Sequence, residues 1–369
     1  MTNICYFVSS LVRTGPTNQL SYIINHLDRN QFNPIIITLF KESNKTIIEY
    51  FTRELNIEVI CLNTSKIRAL ISVKKELSNL LKSKKIDIVQ TQGILADYIS
   101  FKQISDDIKR VSTIRNYPLD DYKNIFGKLA GNILANMHIN LIRHNARSFI
   151  ACSRTIHSTF KKKKNINISY IQNGVDIEKF APSMNKKESK TNVKLPLDKI
   201  IFISVGSLIP RKDFTTLIEG FKLFNIKKSA ILLIAGEGKE ELMLKKISDN
   251  QIKFLGNVPN ILEYLQASDC FISSSLSEGL PNSVMEAMAC GLPCALSEIP
   301  SHEELKGNEG LGHVFFKEKN IKGLSDALNE MVCKKDSLSE KSFKIVNEEF
   351  SANAMSVKYQ NLYIKILKK

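Results

Sequence analysis

Two glutamates lie eight positions apart around a Gly/Pro turn, and this spacing could serve the chemistry of a bound anion. Glu278 precedes the turn and Glu286 follows it in a short helical pattern, while an apolar strand over residues 270–273 leads in. A strand, turn and helix in this order present backbone N–H groups at a helix N-terminus, where the helix dipole favours an anion such as a diphosphate. The pattern predicts an anion site with a carboxylate on either side.

A purely local interpretation of the same residues stays open. Ser283 and Glu286 have the spacing of a capping box, in which the two side chains satisfy backbone N–H groups at the start of a helix. Glu278 could equally be an ordinary loop charge. Spacing alone does not separate this interpretation from the functional one.

Two further turns carry suitable residue types. After the first strand of the second half comes a glycine turn, Gly206 and Ser207, followed by the cations Arg211 and Lys212. After the first strand of the chain comes another, centred on Gly15, with threonine in position to cap a helix. Ligands of doubly wound sheets bind at the carboxyl ends of the strands, so both turns are candidate ligand contacts.

The elements that must position these residues alternate along the whole chain. Short apolar strands, such as those predicted at 200–205 and 270–274, alternate with helical patterns, which favours parallel sheets covered by helices on both faces. The polar stretch from Pro182 to Asn192 interrupts the alternation and predicts a linker. We expect an α/β fold with domains at 1–183 and 199–350, a linker at 184–198, and a closing helix at 351–369 that packs back on the first domain.

Composition and charge restrict the function classes. The chain has 369 residues, 43% of them hydrophobic, and residues 1–185 carry 26 Lys/Arg against 14 Asp/Glu. This basic half favours an anionic partner such as a membrane surface, a phosphorylated lipid or nucleic acid, although a solvated surface would show the same excess. No helix-turn-helix, zinc-finger or aromatic RNA-binding motif is present, so we expect no nucleic-acid partner.

Apolar runs are strand-sized, the first residues lack the basic and apolar pattern of a leader peptide, and the seven cysteines lack zinc spacing. These features predict a cytoplasmic protein with reduced thiols.

Four motifs in order resemble the family-four glycosyltransferases, which have two facing Rossmann-like domains, the GT-B fold. They are the junction motif Asn173-Gly174-Val175-Asp176, the basic turn from Gly206 to Lys212, the turn Gly236-Glu237-Gly238, and the glutamate pair Glu278 and Glu286. The resemblance covers nearly the whole chain. It implies transfer of a sugar from a nucleotide-sugar donor with retention of configuration and without a metal or other cofactor.

Carried over to this chain, the resemblance assigns roles to individual residues. Glu286 would hold the donor ribose, Glu278 would lie beside the donor sugar, and Lys212, helped by Arg211, would neutralise the leaving diphosphate. Glu278 and Lys212 are thus the predicted catalytic residues. The full predicted donor site comprises Gly15, Gly206, Ser207, Arg211, Lys212, Glu278, Gly279, Leu280, Pro281 and Glu286.

Some positions depart from the family pattern. Ser207 stands where many members have arginine, and Gln90-Thr91-Gln92 stands where they often have a His-x-His. Glutamine can hydrogen-bond a sugar hydroxyl but cannot act as an acid or base, which suits a reaction whose leaving phosphate accepts the acceptor proton. Gln92, Arg115 and Asn116 are the predicted acceptor contacts. The chain has no Asp-x-Asp, so we expect no metal site.

The leading hypothesis is a bacterial transferase, peripheral at the inner face of the plasma membrane. It would use a UDP-sugar in preference to a GDP-sugar, and a lipid-linked oligosaccharide or polysaccharide acceptor of the O-antigen or capsule type. The alternative is a nucleotide-sugar epimerase, or a transferase with a soluble acceptor, of the same fold. The expected partners are the donor, the lipid-linked glycan and an anionic membrane surface.

Overall fold

The computed structural model describes residues 1–44, 46–65, 68, 73–225, 229–307 and 312–368. These residues form two compact units. The first comprises Met1–Gly174 together with Ala352–Lys369, and the second comprises Val175–Ser351. Lys369, the end of the predicted closing helix, lies outside the described residues.

The first unit is built on a seven-stranded, wholly parallel sheet in the order β3-β2-β1-β4-β5-β6-β7. Its strands are β1 (Thr2–Val8), β2 (Phe32–Thr38), β3 (Glu58–Cys61), β4 (Ile88–Gln92), β5 (Lys109–Ile114), β6 (Phe149–Ala151) and β7 (Ser169–Tyr170). Strands β1 and β2 are mostly apolar on both faces because helices cover both, whereas β4 and β5 also bury polar residues, among them Gln90 and Thr113.

Helices connect these strands. They are α1 (Gly15–Asn25), α2 (Val73–Ser83), α3 (Ile94–Gln103), α4 (Pro118–Phe126), α5 (Lys128–His144), α6 (Arg154–Lys164) and the C-terminal α15 (Ala352–Leu367), with a π-helical turn at Tyr50–Glu54 and a 3-10 turn at Ala146–Ser148. Helix α15 buries Met355, Tyr359 and Tyr363 in the core of this unit. The chain therefore leaves the first unit and returns to it with its last helix.

The second unit contains a six-stranded parallel sheet in the order β10-β9-β8-β11-β12-β13. Its strands are β8 (Ile200–Val205), β9 (Ala230–Ala235), β10 (Ile252–Gly256), β11 (Cys270–Ser273), β12 (Cys294–Ser297) and β13 (His313–Phe316). Its helices are α7 (Lys186–Asn192), α8 (Phe214–Phe224), α9 (Glu241–Ile247), α10 (Ile261–Ala267), α11 (Asn282–Ala289), α12 (Pro300–Glu303), α13 (Ile321–Cys333) and α14 (Lys335–Glu349), with a 3-10 turn at Pro210–Lys212.

The two parallel sheets confirm the predicted α/β class. Strand order reverses between β1 and β4 in the first sheet and between β8 and β11 in the second. Such reversal points open a crevice at the carboxyl ends of the strands, where ligands of open α/β sheets bind. The turns at Gly15, Gly206 and Gly279 each follow one of these four strands, whereas the turn Gly236-Glu237-Gly238 follows β9.

The boundary between the units differs from the predicted one. The second unit begins at Val175 rather than after residue 183, because Val175 and Phe180 are buried in its core and the Val175 N–H donates to the Phe350 carbonyl at 2.8 Å. The predicted linker at 184–198 contains helix α7, whose Asn185 cap accepts from the Glu188 N–H. Ion pairing of Lys190 with Asp269 holds this helix to the unit, although its sequence has no apolar periodicity.

None of the described helices combines the length and the apolar character that spanning a bilayer requires.

Candidate active site

Two glycines bring the turns after β8 and β9 into backbone contact. Gly236 has φ +137°, and a Cβ there would lie 2.0 Å from the Gly206 carbonyl oxygen. A Cβ at Gly238 would lie 2.3 Å from the Leu208 carbonyl oxygen. Only glycine fits at these two positions, so the turn Gly236-Glu237-Gly238 fixes the path of the basic turn that starts at Gly206.

The basic turn folds Lys212 back over its own start. Residues Pro210–Lys212 form a 3-10 turn, and Asp213, in the left-handed conformation, caps helix α8. A Cβ built on Gly206 would lie 3.2 Å from Lys212 Cε and 3.3 Å from Lys212 Nζ. The glycine thus leaves the space that the lysine side chain occupies.

Glu278 joins this turn to the loop after β11. Its Oε1 accepts from Lys212 Nζ at 2.5 Å and from Ser275 Oγ at 2.8 Å, and its Oε2 accepts from Arg211 at 2.8 Å. Ser274 Oγ donates to the carbonyl of Lys212 at 2.9 Å. The structure therefore brings together the two predicted cations and the first predicted glutamate, and it holds all three in one network.

The network sets the charge of the site. Burial alone would raise the pKa of Glu278, but the charges of Lys212 and Arg211 and their hydrogen bonds outweigh it and hold this pKa well below its usual range. Glu278 is therefore ionised at neutral pH. Within this network two cations outnumber one carboxylate, which suits an anionic ligand.

Unlike Glu278, Glu286 has no ion-pair partner in the described part of the chain, and its pKa is raised instead of lowered. It lies within helix α11, is 9% exposed, and its carboxylate accepts no hydrogen bond from the described residues. Burial raises its pKa to about 7, and the charge of Lys179 offsets only part of that effect. A buried carboxylate without a donor is costly, and it is available to donors from a ligand.

The capping-box interpretation does not hold in this geometry. Helix α11 begins at Asn282 with Pro281 as its N-cap, and no side chain caps it. Ser283 therefore lies inside the helix rather than at its cap. Among the described residues, Glu286 has no hydrogen-bond partner that would explain its type at this position.

His302 is a buried neighbour of the site that sequence reasoning missed. It is fully buried, with Nδ1 2.9 Å from the Ser297 carbonyl and Nε2 3.3 Å from Ser273 Oγ. Burial lowers its pKa to about 4, so the ring is neutral and braces the ends of β11 and β12. No sequence motif marks this position, because its partners come from two other strands.

The remaining predicted donor residues of the second unit surround this network. Ser207 is exposed on the basic turn, whereas Gly279, Leu280 and Pro281 are buried between Glu278 and helix α11. The Leu280 side chain packs into the core of the unit. Any donor contact at Leu280 would thus come from its backbone.

The first unit brings Gln92 and Arg115 together at the carboxyl ends of β4 and β5. Arg115 donates through Nε and Nη2 to Gln92 Oε1, at 3.2 and 3.1 Å, and through Nη1 to Asn173 Oδ1 at 2.7 Å. Gln92 Nε2 donates to the Pro16 carbonyl at 3.3 Å, next to Gly15, the first residue of α1. Two of the three predicted acceptor contacts, Gln92 and Arg115, therefore lie in one cluster of the first unit, next to Gly15.

Asn116 and Asn173 are two further polar residues near Arg115. Asn116 is half-buried beside Arg115 in the chain and makes no side-chain hydrogen bond to the described residues. Asn173 was quoted only as part of the junction motif, yet it holds the arginine directly. Within the described ranges no group of three or more His, Cys, Asp and Glu side chains could hold a metal ion.

Comparisons with known proteins agree with this architecture. The model of Glycosyltransferase Family 4 matches residues 14–179, and that of Glycosyl transferases group 1 matches residues 185–345. The chain is 31% identical over 311 residues to the UDP-Gal:alpha-D-GlcNAc-diphosphoundecaprenol alpha-1,3-galactosyltransferase of Escherichia coli, covering 77% of this chain and 76% of that protein. It is 25% identical over 363 residues to the O-antigen biosynthesis glycosyltransferase WclY of Escherichia coli, covering 94% and 98%.

Solved structures show the same fold. A glycosyltransferase from Rickettsia africae ESF-5 aligns over 100% of this chain and 99% of its own, with a TM-score of 0.80 and 18% identity. Anabaena Alr3699/HepE, solved with UDP and glucose, aligns over 99% and 100%, with a TM-score of 0.79 and 16% identity. The chain belongs to the glycosyltransferases, with a family 4 region followed by a group 1 region, and it has the GT-B fold. The predicted family is confirmed.

Proposed function

We propose that this glycosyltransferase transfers a sugar from a UDP-sugar to a lipid-linked glycan acceptor, with retention of configuration and without a metal ion. The observation that carries the proposal is the buried carboxylate of Glu286, which accepts no hydrogen bond from the described residues and lies in the helix that follows the network of Arg211, Lys212 and Glu278. A nucleoside diphosphate can bind both groups, since its ribose hydroxyls can donate hydrogen bonds to the Glu286 carboxylate and its phosphates carry negative charge toward Arg211 and Lys212.

In the proposed donor complex each residue has a separate task. Glu286 accepts hydrogen bonds from the ribose, and Lys212 and Arg211 contact the diphosphate. Glu278 stays ionised, orients both cations and lies beside the sugar hydroxyls. The backbone of Gly279 and Leu280, near the N-terminus of α11, contributes N–H groups and the positive end of the helix dipole.

In the proposed reaction, negative charge develops on the leaving diphosphate. The bond between the anomeric carbon and the diphosphate oxygen breaks, and a bond forms from the acceptor oxygen to the same face of the sugar. The acceptor proton passes to the departing phosphate oxygen. Negative charge therefore grows on the leaving group, where Lys212 and Arg211 stabilise it, and fixed charges of this kind supply much of enzymatic rate enhancement.

The first unit is proposed to bind the acceptor through the cluster of Arg115, Gln92 and Asn173. Three of the five N–H donors of Arg115 are used by Gln92 and Asn173, so the guanidinium retains donors for a diphosphate or sugar hydroxyl. The related galactosyltransferase of Escherichia coli has a diphosphoundecaprenol-linked acceptor in its name. We propose the same class of acceptor here, in bacterial surface-polysaccharide assembly at the inner face of the plasma membrane.

The test is a transfer assay with UDP-sugars and GDP-sugars and a short-chain lipid diphosphate sugar, run with and without a chelator. The proposal expects an α-linked product from an α-linked UDP-sugar, at a rate that the chelator leaves unchanged. A product of inverted configuration, or activity lost with the chelator and restored by a divalent cation, would contradict it. Turnover of the donor without acceptor would instead favour a nucleotide-sugar epimerase.

A further inference from the structure

The helical hairpin formed by α4 and α5 carries an unusual outer face. Of the fifteen large hydrophobic residues that are exposed in the described chain, five lie on these two helices. They are Ile125, Phe126, Leu129, Ile133 and Met137, and each is between 43% and 79% exposed. The hairpin spans only residues 118–144, so this concentration is far above that of the rest of the surface.

The hairpin itself is firmly seated. A Cβ on Gly131 would lie 2.5 Å from the Tyr122 carbonyl oxygen, so the two helices pack backbone against backbone. On the inner side His138 Nδ1 lies 2.6 Å from the Tyr122 hydroxyl, and His138 Nε2 lies 3.0 Å from the buried carboxylate of Asp97 on α3. The apolar outer face is therefore not the result of a helix that has lost its packing.

Spacing makes the outer face continuous. Leu129, Ile133 and Met137 follow each other at four-residue intervals and form one line along α5. Ile125 and Phe126 end α4, and Gly127, with φ +81°, turns the chain into α5. The five side chains thus run from the tip of the hairpin along half of α5.

The charge around this face is mainly positive, although Asp120 and Asp121 lie in the first turn of α4. From Gly127 to Lys164 the sequence contains eight Lys/Arg and no Asp or Glu. Four of the lysines end helix α6, and Lys163 of that run lies 3.9 Å from Asp120 and 5.0 Å over the ring of Tyr117, at the start of α4. Because α4 has nine residues, the basic run lies about 13 Å from the hairpin tip.

We propose that the α4–α5 hairpin is the surface by which this protein docks on an anionic phospholipid bilayer. Interfacial helices combine an apolar face with Lys and Arg, and an anionic leaflet attracts basic segments near it. A second copy of the chain would bring the same positive charge against itself, which disfavours a dimer through this face. The inference rests on the proposed function only for the reason to approach a membrane, namely a lipid-linked acceptor.

Co-sedimentation with phospholipid vesicles tests the surface directly. We compare the full chain with the triple variant Leu129→Asn, Ile133→Asn, Met137→Gln, on vesicles of phosphatidylcholine with about one third phosphatidylglycerol. The matched control replaces three exposed apolar residues of the second unit, as Met184→Gln, Leu197→Asn, Leu242→Asn. All six side chains are exposed, so neither variant removes a core residue, and thermal unfolding checks that both fold.

The hairpin variant is expected to lose about tenfold or more in its partition coefficient, with the control unchanged. Pure phosphatidylcholine vesicles, or high salt, should also weaken binding of the unaltered chain. Equal sedimentation of the hairpin variant and the unaltered chain would overturn the proposal. So would a dimer of the unaltered chain that the hairpin variant converts to a monomer without vesicles.

A water-soluble acceptor separates this inference from the proposed function. The hairpin variant should transfer sugar to a short-chain lipid diphosphate acceptor in solution at the rate of the unaltered chain. If neither protein transfers sugar, the proposed function fails while the vesicle result still decides the docking surface. If only the variant loses this soluble activity, the hairpin serves catalysis rather than docking and the inference is wrong.

Discussion

At the carboxyl edge of the second sheet, Glu278 is paired with two cations and a second glutamate, Glu286, is buried in the helix that follows. The same edge of the first sheet holds one arginine between two amide side chains. Glu278 is saturated by Lys212, Arg211 and Ser275, and Glu286 has no hydrogen-bond donor among the described residues. In the first unit, Arg115 meets only the neutral acceptors of Gln92 and Asn173.

The difference separates two kinds of ligand site. The carboxyl edge of the second sheet is organised by charge, so its residues keep fixed positions, and its two glutamates have shifted pKa values, before any ligand arrives. The first edge holds a cation without neutralising it, so its full positive charge is available. We expect substitutions at the second edge to affect rate and donor affinity, and those at the first edge to affect the acceptor.

The largest effect is expected for Lys212→Met. This variant removes a cation that we place on the leaving diphosphate, so kcat/KM for sugar transfer should fall about 10²- to 10³-fold. Lys322→Met, on an exposed turn of α13, is the control and should retain full activity. A Lys212→Met enzyme with a rate within about threefold of the unaltered one would remove Lys212 from the catalytic site.

The second-largest expected effect is a pH-dependent change in the stability of the variant Glu286→Gln. The folded-state pKa of Glu286, about 7, lies above its usual value, so its contribution to stability is full below about pH 4.5 and is lost as the pH rises through 7. Glu286→Gln should therefore unfold like the unaltered chain at low pH. It should be more stable at pH 8 by up to about 3 kcal/mol.

Urea unfolding of both proteins across this range measures the difference. Glu330→Gln, which alters an exposed pair with Lys334, should show no such pH dependence. A Glu286→Gln curve that stays parallel to that of the unaltered chain would mean that folding does not raise the pKa of Glu286.

The variant Arg115→Lys tests whether the carboxyl edge of the first sheet binds the acceptor and not the donor. Lysine cannot reach Gln92 and Asn173 in the forked geometry of the guanidinium, so the acceptor KM should rise about tenfold while nucleotide affinity stays unchanged. Arg53→Lys, an exposed arginine of the same unit, is the control. Weaker nucleotide binding by Arg115→Lys would place Arg115 in the donor site. The carboxyl edges of the two sheets would then not bind separate ligands.

The smallest effect is expected for Gly206→Ala. The added methyl group would lie 3.2 Å from Lys212 Cε, so the lysine must shift by a few tenths of an ångström. We expect a loss of nucleotide affinity of about fivefold, with little change in thermal stability. Unaltered affinity would show that Lys212 tolerates the shift, and a large loss of stability would show that the glycine serves folding instead.

Much of the site at the carboxyl edge of the second sheet could be predicted from the sequence, because it depends on local strand and turn patterns. Strand β8 was predicted at its observed bounds, and β11 was predicted one residue longer than it is. The rule that ligands bind at the carboxyl ends of strands placed Gly206, Lys212 and Glu278 at one edge, where the structure has them. The spacing of Glu278 and Glu286 was informative because a short helix follows the turn.

Other features depend on contacts between distant segments and could not be predicted. Helix α7 forms in the expected linker because Lys190 pairs with Asp269, 79 residues further along the chain. His302 is buried because Ser273 and Ser297 bracket it from separate strands. The apolar face of the α4–α5 hairpin is visible only once the inner side of α5 is known to be occupied.

Donor binding tests the central claim most directly. Isothermal titration of the unaltered chain with UDP and with GDP, repeated with Glu286→Gln and with Glu330→Gln, measures what the unpartnered carboxylate does. We predict micromolar binding of UDP and weaker binding of GDP. Glu286→Gln should weaken UDP binding at least about tenfold, whereas Glu330→Gln should leave it unchanged. Equal affinity of Glu286→Gln and the unaltered chain for UDP would contradict the account, because Glu286 would then be a structural residue and not part of the donor site.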